Sequence, residues 1–266
     1  MHLPLPLPEI AQRYQRACDA TRAAGNIALK YFHDHLTVEW KEDESPVTVA
    51  DRAAEKALRE QLKRFFPNDG FFGEEYGEES GSSPFRWIID PIDGTRCFIR
   101  GIPHWGTLVG LEYLGQIVAS ICYAPAMGEF YRAMIGEGAW LNDARIAVSQ
   151  EKELSRSLMC YTGVKIFRNY QVGDAFERVL AQVEGARGYG DYYGFMLVAR
   201  GSCDLLVDFG LHAWDIAGLQ MIVTEAGGKL TDWSGGIDLF RPDVVASNGH
   251  LHAEVLQLLD YQKSNA

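Results

Sequence analysis

The chain reads as a mixed α and β fold, and three stretches of pattern say so. Apolar residues recur at helical spacing up to about residue 66 and alternate at strand spacing to about 148. From there to the end the two periods take turns. No repeat or low-complexity linker interrupts the pattern. The composition shift near 145 therefore predicts two intimately packed halves, 1–145 and 146–266, and not separate modules.

Residues 3–8 alternate leucine and proline with no Lys or Arg ahead of them, which predicts a loose arm over 1–8 and not a signal peptide. Ile10, Tyr14, Ala17, Thr21, Ala24, Ala28 and Tyr31 predict a long amphipathic helix over 9–35. Lys41-Glu42-Asp43-Glu44-Ser45-Pro46 reads as a polar loop. Ala50, Ala54, Ala57, Leu58, Leu62 and Phe65 form the stripe of a second helix over 49–66, which Pro67-Asn68-Asp69-Gly70 ends. Strands follow over 85–89, 106–113, 117–123 and 129–135. Gly115-Gln116 predicts a hairpin between the second and third, and a turn at 136–138 precedes a short strand at 139–142. In the second half, strands near 157–162, 203–208, 229–232 and 244–247 are interleaved with helices over 172–183, 192–200, 215–226 and 251–262. Gly227-Gly228 closes the third of these helices.

At 266 residues, 47% of them apolar, the chain can bury a full core. No run approaches the roughly 18 apolar residues of a membrane span. Cys18, Cys97, Cys122, Cys160 and Cys203 are odd in number, scattered and free of C-x-x-C spacing, as expected for reduced thiols in the cytoplasm. A net charge of −11 repels nucleic-acid backbones, and the acidic excess suits a site for several cations.

The most telling segment is Trp87-Ile88-Ile89-Asp90-Pro91-Ile92-Asp93-Gly94-Thr95. An apolar strand runs into two aspartates, where Pro91 predicts that the strand stops and turns both carboxylates and the Ile92 carbonyl to one side. Gly94-Thr95 can then open a helix whose free amides accept a phosphate. The same pattern also fits a turn in which Asp93 only caps that helix. Glu74 and Glu75 end the apolar run Phe71-Phe72-Gly73, as paired ligands or as an acidic loop running on to Glu78-Glu79; Glu74 is the candidate ligand. Asp51 in Thr48-Val49-Ala50-Asp51 fits a capping box or the mouth of a site, bonded to a catalytic hydroxyl or water. Asp215 heads an apolar helix as an N-cap or as a carboxylate from the second half. His212 has no nucleophile or second histidine near it and reads as a site wall or packing residue. There is no G-x-S-x-G and no phosphate-binding G-x-x-x-x-G-K-[ST] loop, so serine chemistry and that kind of nucleotide hydrolysis drop out.

Together, Gly73-Glu74-Glu75, Asp90-Pro91-Ile92-Asp93-Gly94-Thr95, and Trp214-Asp215-Ile216-Ala217-Gly218 followed by Glu225-Ala226-Gly227-Gly228 resemble the inositol monophosphatase superfamily over nearly the whole chain. The resemblance implies a layered α-β-α-β-α sandwich of the inositol monophosphatase and sugar phosphatase type. It further implies a Li⁺-sensitive phosphomonoesterase, commonly a homodimer, using two to three Mg²⁺ ions. By matching positions, Glu74, Asp90 and the Ile92 carbonyl hold one metal, and Asp90, Asp93 and Asp215 a second. Glu74 shares a third, weaker site. Thr95 with Asp51 orients and deprotonates the attacking water, and the Gly94 and Thr95 amides bind phosphate. The mechanism the resemblance implies is in-line attack by a metal-activated water, with no phosphoenzyme expected.

For the substrate, Arg96-Cys97-Phe98-Ile99-Arg100-Gly101-Ile102-Pro103 and the Gly190-Asp191 pair within the 187–194 stretch are similar to the histidinol-phosphatase branch, whose substrate is L-histidinol phosphate. Asp191 and Asp208, with Arg187 nearby, would face that substrate, and its ammonium favours two carboxylates over none. Tyr192 and Trp105 either flank an imidazole or belong to the core. The stretch from Asp208 to Asp215 is closer to inositol-type members, with Asp208 one methylene shorter than the usual Glu. The alternatives are an inositol-1-monophosphatase or a broad inositol and fructose-1,6-bisphosphate phosphatase, and a regulatory binding protein that keeps the fold. A two-metal nuclease is disfavoured by the absence of a basic stripe. Neither a nucleic acid nor a membrane is expected as partner.

Overall fold

A computed structural model describes residues 5–32, 39–40 and 46–259. The expectations for residues 1–4, 33–35, the 41–45 loop and 260–262 lie outside the described residues. The chain opens with α1 (Leu7–Tyr31), a two-stranded ribbon of β1 (Glu39–Trp40) and β2 (Pro46–Val47), and α2 (Val49–Phe65). A large sheet follows: β3 (Gly70–Gly73), β4 (Gly77–Glu79), β5 (Phe85–Asp93), then, after the one-turn helix α3 (Thr95–Phe98), β6 (Gly106–Tyr113), β7 (Gln116–Ala124), β8 (Glu129–Met134), β9 (Ala139–Leu141) and β10 (Ala144–Ile146). Its strand order is β10-β9-β8-β7-β6-β5-β3-β4, antiparallel except where β3 runs beside β5.

The rest comprises β11 (Leu158–Cys160), α4 (Val164–Asn169), α5 (Gly173–Leu180), β12 (Gly185–Arg187), α6 (Asp191–Ala199), β13 (Leu205–Phe209), α7 (Ala213–Glu225), β14 (Lys229–Thr231), β15 (Asp243–Ser247) and α8 (His252–Leu259). The second sheet has the order β12-β11-β13-β15-β14. Helices α1 and α2 cover one face of the large sheet, α6 and α7 fill the space between the two sheets, and α4, α5 and α8 cover the outer face of the second. The result is a five-layer α-β-α-β-α sandwich.

Each interlayer space holds an apolar cluster. Ile10, Leu58, Phe71 and Trp87 lie under α1 and α2. Ile88, Leu108, Phe195 and Ile222 lie between the sheets, and Phe167, Phe176, Val207 and Val255 beneath the outer helices.

Two local expectations are corrected. The hairpin turn is Leu114-Gly115, both at positive φ (50° and 83°), while Gln116 already pairs with Tyr113 in the ladder. This is the two-residue turn whose twist matches the strands. Strand β5 does not stop at Pro91 either. Its pairing runs from Asp90–Leu108 to Asp93–Gly106, so one extra residue bulges out. A bulge accommodates a residue with no N–H to give the ladder. It also leaves the Pro91 carbonyl to accept the Thr107 hydroxyl at 2.8 Å.

Candidate active site

The bulge aims the acids. Asp90 and Asp93 end β5 almost fully buried, and Asp215 sits half-buried in the first turn of α7. One carboxylate oxygen of each lies within 4.8 Å of the others. Burial first, then the neighbouring carboxylates, push Asp90 and Asp93 well above the usual carboxylate range. The neighbours are Glu74, Asp93 and Asp215 for Asp90, and Asp191 and Asp215 for Asp93. Three acids drawn together against their own repulsion, among hard oxygen donors only, match a hard divalent cation. Asp90 Oδ1 accepts the Ile92 amide at 3.0 Å, Asp93 Oδ2 accepts the Tyr192 amide, and Asp215 Oδ2 accepts the His212 amide at 2.7 Å. Each ligand candidate is thereby held in place by a backbone amide.

Gly94 has φ +82°, and a Cβ there would stand 2.7 Å from the His104 carbonyl, so only glycine fits the step from β5 into α3. The first amides of α3 have no partner within the helix. Thr95 Oγ1 donates to the Ile92 carbonyl at 2.9 Å.

A cavity of about 560 Å³ opens over these groups. Among the sequence-predicted residues, Glu74, Asp90, Ile92, Asp93, Gly94, Thr95, Asp191 and Asp215 line it. His212 lines it as a wall, its ring stacked on Trp214 with centroids 4.9 Å apart.

Three predicted residues do not line it. Asp51 closes the capping box of α2, accepting the Thr48 amide and hydroxyl at 2.8 and 2.6 Å, while Thr95 gives its only hydroxyl proton to Ile92. Burial holds Asp51 at about 6. Asp208 is fully buried one layer back, accepting the Thr162 hydroxyl and its neighbour's Phe209 amide, and burial lifts it to about 7. Its shorter side chain ends at Thr162, which takes the place on the cavity wall. Arg187, on the edge strand β12, is exposed and donates to the Ala186 carbonyl at 2.8 Å. Trp105 and Tyr192 are fully buried core residues and do not line the cavity.

The sequence reading missed Thr162, Ile166 and Phe209 as cavity walls. Ile166 belongs to α4, a six-residue helix with no strong periodic signature. Asp191 has φ +51°, uncommon for a residue with a Cβ, and its amide contacts Thr162 Oγ1 at 3.3 Å. Burial, and Asp215 next, raise Asp191 to about 6.

The family model described as the inositol monophosphatase family matches residues 9–264. The histidinol-phosphatase of Chlorobaculum parvum is 40% identical over 222 residues, 83% of this chain and 86% of that protein. The inositol-1-monophosphatase of Mesorhizobium japonicum is 37% identical over 247 residues, covering 90% and 92%. The crystal structure of the extragenic suppressor protein suhB from Bartonella henselae superposes with a TM-score of 0.85 at 32% identity, covering 93% of this chain and 98% of that one. The chain belongs to the inositol monophosphatase family and is a phosphoric monoester hydrolase.

Proposed function

We propose that the enzyme hydrolyses L-histidinol phosphate to L-histidinol and phosphate, with Mg²⁺ as its metal. The observation that carries this reading is Asp191, a further carboxylate on the cavity wall next to the Asp90–Asp93–Asp215 cluster but not part of it, backed by Thr162 and the buried Asp208. A phosphate ester bound at the cluster would direct its other end to this wall, where an ammonium finds acceptors and a neutral polyol gains less.

Glu74, Asp90, the Ile92 carbonyl, Asp93 and Asp215 would hold the metal. When bound there, it supplies charge neutralisation at the phosphoryl and leaving oxygens and activates water. The protein's own groups do the positioning. The Gly94 and Thr95 amides, at the start of α3, hold the phosphate oxygens. Thr95 Oγ1, its proton committed to Ile92, offers its lone pairs to a water and so orients it. Glu74, on the cavity wall beside Asp90, is the carboxylate placed to receive the proton of that water. Asp51 acts from behind, through the charge it adds near Asp90.

The same reading makes the enzyme a Li⁺-inhibited homodimer of the cytoplasm. For the compartment, the support is the odd number and scattered spacing of the cysteines, without a C-x-x-C pair. The likeness to the inositol-1-monophosphatase of Mesorhizobium japonicum keeps inositol monophosphate as the second reading.

Phosphate release from L-histidinol phosphate, inositol-1-phosphate and fructose-1,6-bisphosphate, compared as kcat/KM with and without Mg²⁺, tests it. Histidinol phosphate should lead. A lead for inositol-1-phosphate would overturn the substrate, and no Mg²⁺-dependent release from any of the three would overturn the chemistry.

A further inference from the structure

Helix α2 carries a buried ion pair that none of the catalytic roles above uses. Glu55 is fully buried and Arg59 nearly so, one turn apart on the inward face of the helix. Arg59 Nε donates to Glu55 Oε1 at 2.8 Å, and Arg59 Nη2 donates to the Gly77 carbonyl at 2.6 Å. The other Glu55 oxygen, Oε2, accepts the backbone amide of Glu75 at 2.8 Å. The pair therefore grips the turn between β3 and β4 at both ends, at Glu75 and at Gly77.

That turn bears Glu74. Its own amide donates to the Ile89 carbonyl at 3.1 Å, the last residue before Asp90. Two successive amides are thus pinned to different elements, Glu74 to β5 and Glu75 to α2, and the peptide between them has little freedom left. The fit is close. A Cβ on Gly73 would stand 2.0 Å from Glu55 Oε1 and 2.9 Å from Arg59 Nη2. No positive φ demands glycine at 73, so the Glu55 carboxylate is what excludes a larger residue there.

We infer that Glu55, clamped by Arg59, is the positioning residue for Glu74 as a metal ligand. A buried carboxylate spent on one loop amide is a costly way to cap a turn, and its effect is to fix the height of Glu74 beside Asp90. Partners that orient a ligand typically change metal affinity about 10- to 100-fold when removed. The inference rests on the proposed reading of Glu74 as a ligand, and the experiment separates the two.

Mn²⁺ binding to the whole protein, followed by the EPR signal of free Mn²⁺, is measured for wild type, Glu55→Ala, Glu74→Gln and the double variant. The expected result is a loss of at least about tenfold in Mn²⁺ affinity for Glu55→Ala, a comparable loss for Glu74→Gln, and no further loss in the double variant, because both changes act through one ligand. If Glu74→Gln binds Mn²⁺ as wild type does, the ligand reading itself falls. If Glu74→Gln is weakened but Glu55→Ala is not, or if the two losses multiply, the positioning role falls. Should Glu55→Ala fail to fold, Gly73→Ala keeps both clamp residues and displaces the turn. It is expected to weaken Mn²⁺ as Glu74→Gln does, and wild-type affinity in that variant would overturn the inference.

Discussion

Gly110 of β6 and Ala217 of α7 meet at backbone distance: a Cβ built on the glycine would stand 2.6 Å from the alanine Cβ. Next to it, a Cβ on Gly218 would meet the Leu108 Cβ at 2.6 Å. Ser120 of β7 ties the same place, its hydroxyl donating to the Ala217 carbonyl at 2.6 Å and accepting the Met221 amide at 3.0 Å. At this point helix α7 and the large sheet come too close for a side chain to fit between their backbones. This close seat is what carries Asp215, two residues before Ala217, to the end of β5.

Gly110→Ala should unseat α7. Overpacking of this kind costs about 1–3 kcal/mol, and Mg²⁺ affinity should fall with it because Asp215 moves with the helix. Chemical denaturation and a Mg²⁺ titration of the same preparation check both effects. A variant that loses stability but binds Mg²⁺ normally would show that the seat does not set the carboxylate.

Asp93→Asn should abolish turnover, on the order of 10³-fold or more in kcat, and leave the fold intact, since the Asn oxygen can still accept the Tyr192 amide. Asp90 and Asp93 stand above their ordinary range, so the metal-free folded protein holds their protons more tightly than the unfolded chain does. Their contribution to stability is greatest in acid and is lost as pH rises toward neutrality. Melting temperatures in chelator should therefore gain less, or lose more, with rising pH in the wild type than in Asp93→Asn, and Mg²⁺ should shrink that difference. Near-wild-type kcat in the variant would remove Asp93 from the site.

Asp191→Asn keeps the shape of the side chain and tolerates the left-handed backbone, so it isolates the charge. The expected result is a drop of at least about tenfold in kcat/KM on L-histidinol phosphate, the size of a lost charged hydrogen bond, with inositol-1-phosphate changed little. Equal losses on both would detach Asp191 from substrate choice.

His252 is buried between Thr231 and Ser247, with both ring nitrogens at 2.9 Å from a hydroxyl, and burial holds it down at about 4. An unfolded histidine takes its proton near 6.5. The contribution of the neutral ring is thus fully present above about 6.5 and is lost as pH falls toward 4, a total of about 3 kcal/mol. Denaturation midpoints between pH 4 and 7 should slope less in His252→Gln than in wild type. Parallel slopes would mean that another group carries the acid sensitivity.

The layers and the acids were legible in the sequence because each rests on a local signal. The stripes Ile10–Ala28 and Ala50–Phe65 are periodic, and Asp90 to Thr95 and Trp214 to Gly218 are dense motifs. What was not legible depends on pairing or depth. Pro91 reads as a strand end because nothing in the sequence announces the Asp90–Asp93 register shift on β6. Thr162 is one more polar residue after a short strand until the second sheet sets Asp208 behind it. Arg187 lies near Asp191 in sequence, yet an edge strand turns it to solvent. Asp51 was readable as a cap, and the structure places its carboxylate there.

The left-handed backbone at Asp191 narrows what chemistry this wall can ever present. At φ +51° a branched or bulky side chain is strained, and the residues at ease there are Gly, Asn and Asp. The wall is therefore most easily kept bare, neutral or negative at this position, and a β-branched side chain is the change it resists most. A designer wishing to line it with valine or isoleucine would have to rebuild the loop first, and one wishing only to remove its charge would exchange a single oxygen for an NH₂.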